Sequence, residues 1–149
     1  MPPTDSTPIF RMQKMYVKDL SFENPSAPQV YAEPGEPKVD FRLNVSNRTV
    51  DDEHWEVAIS VTANVTSQEK TVFIVEVEHA GLFQLRNIPA EHMDRVLGVE
   101  CPALLFPFTR QIVAQATIDG GFVPLLMDPI NFLAMYEANV LARQQAEKH

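Results

Sequence analysis

Three runs of alternating apolar and polar residues, joined by short polar turns, constrain the fold of this chain most strongly. The runs are 39–45, 54–65 and 70–85, and apolar residues recur at every second position in each. Such alternation is typical of strands with one buried face, and short turns place successive strands side by side. We therefore predict an antiparallel meander, and we add residues 9–23 as a strand that precedes it.

The first strand changes the phase of its alternation along its length. Phe10 and Met12 share one phase, Met15 and Val17 follow the other, and Leu20 and Phe22 change the phase again. An extra residue in a strand restores a common face, so we predict a β-bulge near residues 18–19.

The segment 23–38 contains four prolines and one glycine. Proline lacks a backbone N–H group, so this composition excludes a regular helix or a central strand. The segment is long for a hairpin loop, and we predict that it crosses over to a strand that is not adjacent to the first.

The period changes after residue 88 from that of a strand to that of a helix. Residues 88–121 form a helical pattern in which Pro102 and Pro107 predict a break or kink, and the glycines at 120–121 predict its end. After an extended linker, residues 131–148 predict a final helix.

Strands followed by helices indicate an α+β fold. We predict one domain over residues 1–149, with a four-stranded antiparallel sheet and two main C-terminal helices packed on one face. Residues 1–8 and about 143–149 are predicted as disordered tails.

Composition and charge narrow the class of protein. A single cysteine, Cys101, excludes a disulfide framework and favours a reducing compartment. The N-terminal residues lack a secretory signal pattern, and no apolar run approaches the roughly 20 residues of a membrane helix. The net charge of −8 argues against nucleic acid as a partner. We expect a soluble cytoplasmic protein that does not insert into the membrane.

The residues that could carry catalysis or bind metal form no known motif. The acidic run 51–54 matches no calcium loop, and the spacing of His79, His92 and Cys101 matches no zinc motif. Cys101 lies on an apolar stripe, which favours a small buried side chain. The chain has no G-x-S-x-G elbow and no phosphate-binding loop. We therefore predict a protein that is not an enzyme and uses no metal or cofactor.

The sequence contains more apolar side chains than one sheet and two helices need. The surplus lies in the runs LLFPF (104–108) and FVPLLM (122–127), in the stripe 132–140, and on both faces of the strand 70–85. Excess apolar surface on a soluble chain indicates contacts with other proteins. From the residues alone, a chaperone for many unfolded chains and a structural or adaptor oligomer with one folded partner fit equally well.

Four segments, in order and with consistent spacing, resemble the SecB family of bacterial protein-export chaperones. They are IFRMQKMYVKDLSFENPSAP, FIVEVEHAGLF, CPALLFPFTR and GGFVPLLMDPINF. The resemblance covers residues 9–142. It implies a homotetramer, arranged as a dimer of dimers, whose helices lie between two eight-stranded sheets. It also implies an ATP-independent holdase that binds unfolded precursors in the bacterial cytoplasm and delivers them to the SecA translocation ATPase.

The resemblance also implies roles for particular positions. The flat outer face of the sheet would dock SecA through Asp19, Glu23, Ile74 and Glu76. Apolar grooves would bind the client through Val39, Phe41, Leu43, Tyr136 and Val140. The inner face would lie toward the subunit interface at Val75, Val77 and His79. The alternative is an adaptor oligomer that binds one folded partner through the acidic sheet face.

Overall fold

The computed structural model describes residues 6–33 and 35–147. In this part of the chain, four strands precede the helices, as the α+β prediction requires. The strands are β1 (Ile9–Glu23), β2 (Lys38–Thr49), β3 (His54–Ser67) and β4 (Lys70–Arg86). The helices are α1 (Ala90–Arg95), α2 (Cys101–Asp119) and α3 (Phe132–Glu147). Residues 1–5 and 148–149 of the predicted tails lie outside the described residues.

The strands form one antiparallel sheet in the order β1-β4-β3-β2. The predicted meander is confirmed, because β2 pairs with β3 and β3 pairs with β4, both antiparallel, through short turns. β1 and β2 lie at opposite edges of the sheet, so the proline-rich segment does cross over to a non-adjacent strand. That segment includes a short 3₁₀ helix, Gln29–Ala32.

Strand β1 contains two irregularities in its pairing with β4. One lies between Val17 and Asp19, as predicted, and a second, which the sequence analysis missed, lies between Met12 and Lys14. The two shifts together bring six apolar residues of β1 to the same side as Val75 and Val77 of β4. They are Phe10, Met12, Met15, Val17, Leu20 and Phe22.

We name the two sides of the sheet by what covers them. The helix face carries Val75, Val77 and His79 and is covered by α2. The outer face carries the alternate residues of β4, Ile74 and Glu76 among them.

Helix α2 packs on the sheet through residues spaced four apart. Cys101, Leu105, Thr109 and Val113 are all buried, and this spacing places them on one side of a helix. They meet the buried side chains of β3 and β4 to form the core of the domain.

The predicted break in the helical region occurs before the prolines. A π-helical turn, Val96–Glu100, joins α1 to α2, and Pro102 lies in the first turn of α2. The first turn tolerates proline, since its N–H groups have no intrahelical acceptor. Pro107 lies inside α2 without ending it.

The continuous helical stretch Ala90–Asp119 is 30 residues long and apolar enough to cross a membrane by length and composition. This corrects the expectation that no apolar run approaches that length. The core helix of a soluble protein passes the same test, and α2 packs against the sheet through its buried residues.

Helix α3 differs from the prediction that both main helices pack on the sheet. It packs against the π-helical turn, where the ring of Tyr136 lies beside Gly98. Phe132 anchors its first turn, with its ring centre 5.6 Å from that of Phe106. Most of the remaining side chains of α3 are exposed or half-buried. It continues to Glu147, which corrects the tail predicted from about residue 143.

Candidate protein-binding surfaces

The structure brings the four predicted docking residues onto one surface. Glu23 of β1 is paired with Ile74 of β4, and Asp19 is paired with Glu78, so their side chains point to the outer face. Glu76 lies between Ile74 and Glu78 on the same strand and the same side. Asp19, Glu23 and Glu76 are exposed, whereas Ile74 is half-buried. We call Asp19, Glu23, Ile74 and Glu76 the acidic face.

A buried carboxylate lies beside this surface, on the outer face of β3. Glu56 is only 6% exposed, and three side chains from the two edge strands bind it. Tyr16 donates its hydroxyl hydrogen to Oε2 at 2.6 Å, Lys18 Nζ donates to Oε1 at 3.0 Å, and Arg48 Nε donates to Oε1 at 3.1 Å. We call these four residues the Glu56 cluster.

The hydrogen bonds of the cluster stabilise the ionised form of its carboxyl group. They lower the pKa of Glu56 to about 2, with the bond from Tyr16 contributing most, against the opposing effect of burial. Burial and the bond to Glu56 raise the pKa of Tyr16 to about 12. The cluster is therefore ionised at Glu56 and neutral at Tyr16 throughout the physiological pH range.

Small residues make room for the cluster. Ala58 of β3 and Ala80 of β4 are paired with each other on the outer face, and both are buried although no helix covers that side. Tyr16 is paired with Ala80, and its side chain extends beyond β4 to reach Glu56 on β3. Long side chains thus cross the sheet over two alanines and join three of its strands.

An apolar cavity of about 230 Å³ opens on the helix side, beside edge strand β2. It is lined by Pro37, Val39, Val65, Val72, Phe73, Phe122, Val123, Pro124 and Leu125. A second cavity of about 140 Å³ adjoins it and shares Pro37, Val72 and Phe122. We call the two cavities together the apolar groove. Its walls come from the crossover segment, the sheet, and the linker between α2 and α3.

Three residues of the predicted client-binding set lie in or beside the groove. Val39 lines the groove, and Phe41 and Leu43 follow it on the same side of β2. Val39 and Phe41 are 40% and 38% exposed, because α2 does not extend over this edge of the sheet.

Tyr136 and Val140 lie away from the cavities on α3, although the resemblance places them in the groove with β2. The hydroxyl of Tyr136 donates to Asp94 Oδ2 at 3.0 Å, and this bond raises the pKa of Tyr136. The sequence analysis did not assign the linker residues 122–125 to the groove. The signal for these linker residues in the sequence was the excess of apolar side chains in FVPLLM (122–127).

A polar contact holds the crossover segment against the end of α2. Tyr31 donates its hydroxyl hydrogen to the carbonyl oxygen of Gly120 at 2.8 Å, and Asn24 Nδ2 donates to the Tyr31 hydroxyl at 2.8 Å. The ring of Tyr31 packs on Phe122 with 5.3 Å between ring centres. Because Phe122 lines both cavities, this contact links the crossover segment to the shape of the groove.

Val75, Val77 and His79 are buried within this single chain. His79 is 2% exposed, and its Nδ1 lies 2.8 Å from Thr109 Oγ1 of α2. Burial lowers the pKa of His79. Since α2 covers all three residues, they cannot contact a second subunit directly, and any subunit contact on this side would be made by the outer surface of α2.

Large apolar side chains remain exposed around that helix. Leu104, Phe108 and Ile118 point outward from α2, and Phe10, Val17 and Leu20 are exposed on the helix face of β1. This is the kind of exposed apolar surface that marks contacts with other proteins.

Cys101 is buried in the core, and burial raises the pKa of its thiol to about 12. The side chain is therefore a neutral thiol at physiological pH, and it packs as a small apolar group. Within residues 6–33 and 35–147, no three His, Cys, Asp or Glu side chains are grouped as a metal ion would require.

An open apolar groove and a separate acidic face are features of a protein that binds other polypeptides. Comparison with known proteins gives the family. The family model described as "Preprotein translocase subunit SecB" matches residues 3–144. The chain therefore belongs to the SecB family of protein-export chaperones.

Individual relatives agree with this assignment. The chain is 58% identical over 133 residues to the protein-export protein SecB of Desulfotalea psychrophila, covering 87% of this chain and 85% of that one. It is 43% identical over 144 residues to the SecB of Magnetococcus marinus, covering 95% and 92%.

A solved structure shows the same fold. It is a SecB-like chaperone of Mycobacterium tuberculosis in complex with a peptide from the HigA1 antitoxin. The TM-score is 0.69 at 16% identity, over 81% of this chain and 90% of that one.

Proposed function

We propose that this protein is an ATP-independent holdase of the bacterial cytoplasm. It binds unfolded precursors of exported proteins, keeps them competent for translocation, and delivers them to the SecA ATPase. The observation that supports this best is the apolar groove, which stays open on the helix side while the acidic face occupies the outer side. Two surfaces on opposite sides of one sheet allow a client and a delivery partner to be bound together.

The groove supplies the affinity for unfolded chains. A client segment gains about 25 cal/mol for each Å² of apolar surface that it buries there. One such contact is weak. Several grooves on one particle make the later contacts intramolecular and raise avidity by about 10²–10⁴. Binding the unfolded state then draws clients away from folding without any nucleotide.

We propose a homotetramer built as a dimer of dimers as the particle that provides these grooves. The exposed apolar residues of α2 and of the helix face of β1 are the surface that a second subunit would cover. Two four-stranded sheets can join into one eight-stranded sheet only through an unpaired edge strand on each subunit. β1 and β2 are the two edge strands of this sheet.

The acidic face supplies the docking surface for SecA. Three carboxylates surround one isoleucine on a surface that no helix covers, and the whole chain carries a net charge of −8. Such a surface attracts a basic partner and guides its approach, and salt weakens the attraction. The chain itself needs no ATPase activity, because the partner supplies the energy for translocation.

The two surfaces can be tested separately with charge substitutions. Phe41→Arg, beside the groove on β2, should weaken the binding of a denatured precursor while the native mass stays unchanged, because a bound client would bury the added charge without a partner. Asn44→Arg is the matched control, since it adds the same charge to the same strand on the outer face. Equal client affinity for both variants would contradict the groove assignment.

Asp19→Lys should lower the affinity for SecA and its dependence on salt while leaving client holding intact. Glu137→Lys makes the same change of charge on an exposed position of α3 and serves as the control. Loss of client holding in Asp19→Lys, with SecA binding retained, would mean that the acidic face serves clients.

A further inference from the structure

The bulge at Lys18 determines which side of the sheet the carboxylates Asp19 and Glu23 of β1 occupy. Val17 is paired with His79, and Asp19 is paired with Glu78, which is the next residue of β4, so Lys18 is the extra residue of a bulge. If Lys18 were paired regularly with Glu78, strict alternation would place Asp19 opposite Val77 and turn both Asp19 and Glu23 to the helix face. The acidic face therefore exists because β1 accommodates one more residue than β4 at this point.

The Glu56 cluster holds this bulge in place. The ammonium group of Lys18 lies 3.0 Å from Glu56 Oε1 on β3 and 4.0 Å from Glu78 Oε1 on β4. Tyr16, two residues earlier, binds the other oxygen of Glu56. Both side chains thus tie the bulged part of β1 to a carboxylate that is itself buried and bound by Arg48.

We propose that Lys18 and Glu56 are positioning residues for SecA docking: their ion pair fixes the bulge in β1 and so presents Asp19 on the acidic face. The proposal rests on the docking role proposed above. Neither residue need touch the partner, because both act through the backbone that carries Asp19.

Simple electrostatics predicts the opposite effect for a loss of Lys18. Removing a positive charge beside Glu78 and Asp19 makes the outer face more negative, which should strengthen the attraction of a basic partner. Loss of positioning should instead weaken binding, because Asp19 would no longer be held in one orientation. The sign of the change in affinity therefore separates the two roles.

The test compares Lys18→Met with Lys14→Met. Both substitutions remove one lysine from β1 on the outer face, but Lys14 is paired with Leu82 and lies outside the cluster. We expect Lys18→Met to bind purified SecA roughly two- to thirtyfold more weakly than the wild type. Lys14→Met should bind equally well or more tightly. Lys18→Arg keeps the charge and the reach, and it should restore most of the affinity.

A second measurement excludes a general loss of structure. The urea unfolding midpoint and the client affinity are measured for each variant. Lys18→Met should lower the midpoint, because the buried Glu56 loses one of its three donors, while the protein stays folded and the client affinity stays close to wild type. The double variant Lys18→Met/Glu56→Gln removes both charges of the pair and should still bind SecA weakly.

Two results would overturn the positioning role while wild-type docking remains. One is SecA binding by Lys18→Met that is as tight as that of Lys14→Met. The other is a loss of SecA affinity that is matched by an equal loss of client affinity. If the wild-type protein fails to bind SecA, the docking function is contradicted, and the positioning role with it.

Discussion

Leu104 and Leu105 are neighbours in the sequence with opposite environments. Leu105 is fully buried against the sheet, whereas Leu104 is 44% exposed on the outer side of α2. Truncation of Leu105 therefore tests the core of the chain, and truncation of Leu104 tests the proposed contact between subunits.

We expect Leu105→Ala to lower the free energy of unfolding by about 2–5 kcal/mol, because it removes buried methyl groups and leaves a cavity. Leu104→Ala should change chain stability much less and should shift the native mass toward smaller species at low concentration. Urea unfolding and native mass, each measured at fixed protein concentration, check the two expectations. Equal effects of both variants on both measurements would contradict the separation of core and subunit contact.

Burial of His79 makes stability depend on pH. The folded state resists protonation of this side chain, whereas the unfolded chain takes up a proton around pH 6.5. The unfolded state therefore binds more protons below that pH, and the contribution of His79 to stability is present above pH 6.5 and is lost as the pH falls.

The change in unfolding free energy between pH 8 and pH 5 should be smaller for His79→Asn than for the wild type. His92→Gln, a substitution of an exposed histidine on α1, should leave the dependence close to wild type. An unchanged pH dependence in His79→Asn would show that His79 does not carry the effect.

The residues of the acidic face were predicted from the resemblance to the SecB family, because strict alternation along β1 would turn Asp19 and Glu23 to the helix face. The structure places Asp19, Glu23, Ile74 and Glu76 on one side of the sheet. The Glu56 cluster could not be predicted in this way. Its partners on β1 are 38 and 40 residues away from Glu56, and their contact depends on which strands are neighbours in the sheet.

At the scale of elements, the strands and the crossover were predictable and the placement of α3 was not. Alternation and proline content depend on the local sequence, and they gave the meander, the crossover and one bulge of β1. The second bulge, between Met12 and Lys14, brings Met15 to the same side as Met12, and the sequence analysis did not assign this change of phase to a bulge. The packing of α3 on the π-helical turn depends on Gly98, which leaves room for the ring of Tyr136.

The contact between the crossover segment and the end of α2 is testable at this scale. Tyr31→Phe removes the hydroxyl that donates to the carbonyl of Gly120 and accepts from Asn24, but it keeps the ring that packs on Phe122. Each lost hydrogen bond is worth about 1 kcal/mol, so the amide exchange rates of Gly121 and Phe122 should increase at least about fivefold.

Tyr136→Phe is the matched control, because it removes a hydroxyl that binds Asp94 elsewhere in the fold. It should leave the exchange of Gly121 and Phe122 unchanged. If Tyr31→Phe has no larger effect than this control, the hydroxyl of Tyr31 does not hold the crossover segment in place.

At the scale of the whole molecule, the sheet separates two surfaces of different chemistry. The apolar groove lies on the helix side at the edge of β2, and the acidic face lies on the outer side of β1 and β4. A substitution on one side should leave the other side intact, so we expect client holding and partner docking to be separable. An adaptor with one folded partner would need the acidic face but would have no use for an open apolar groove.

The most direct test is the native mass of the purified protein, alone and after addition of a urea-denatured, slow-folding exported precursor, without nucleotide. We expect a particle of about four 16.8 kDa chains that gains one bound precursor. A particle of any size that does not bind the unfolded chain would contradict the holdase function. The acidic face would then be the surface on which to look for one folded partner.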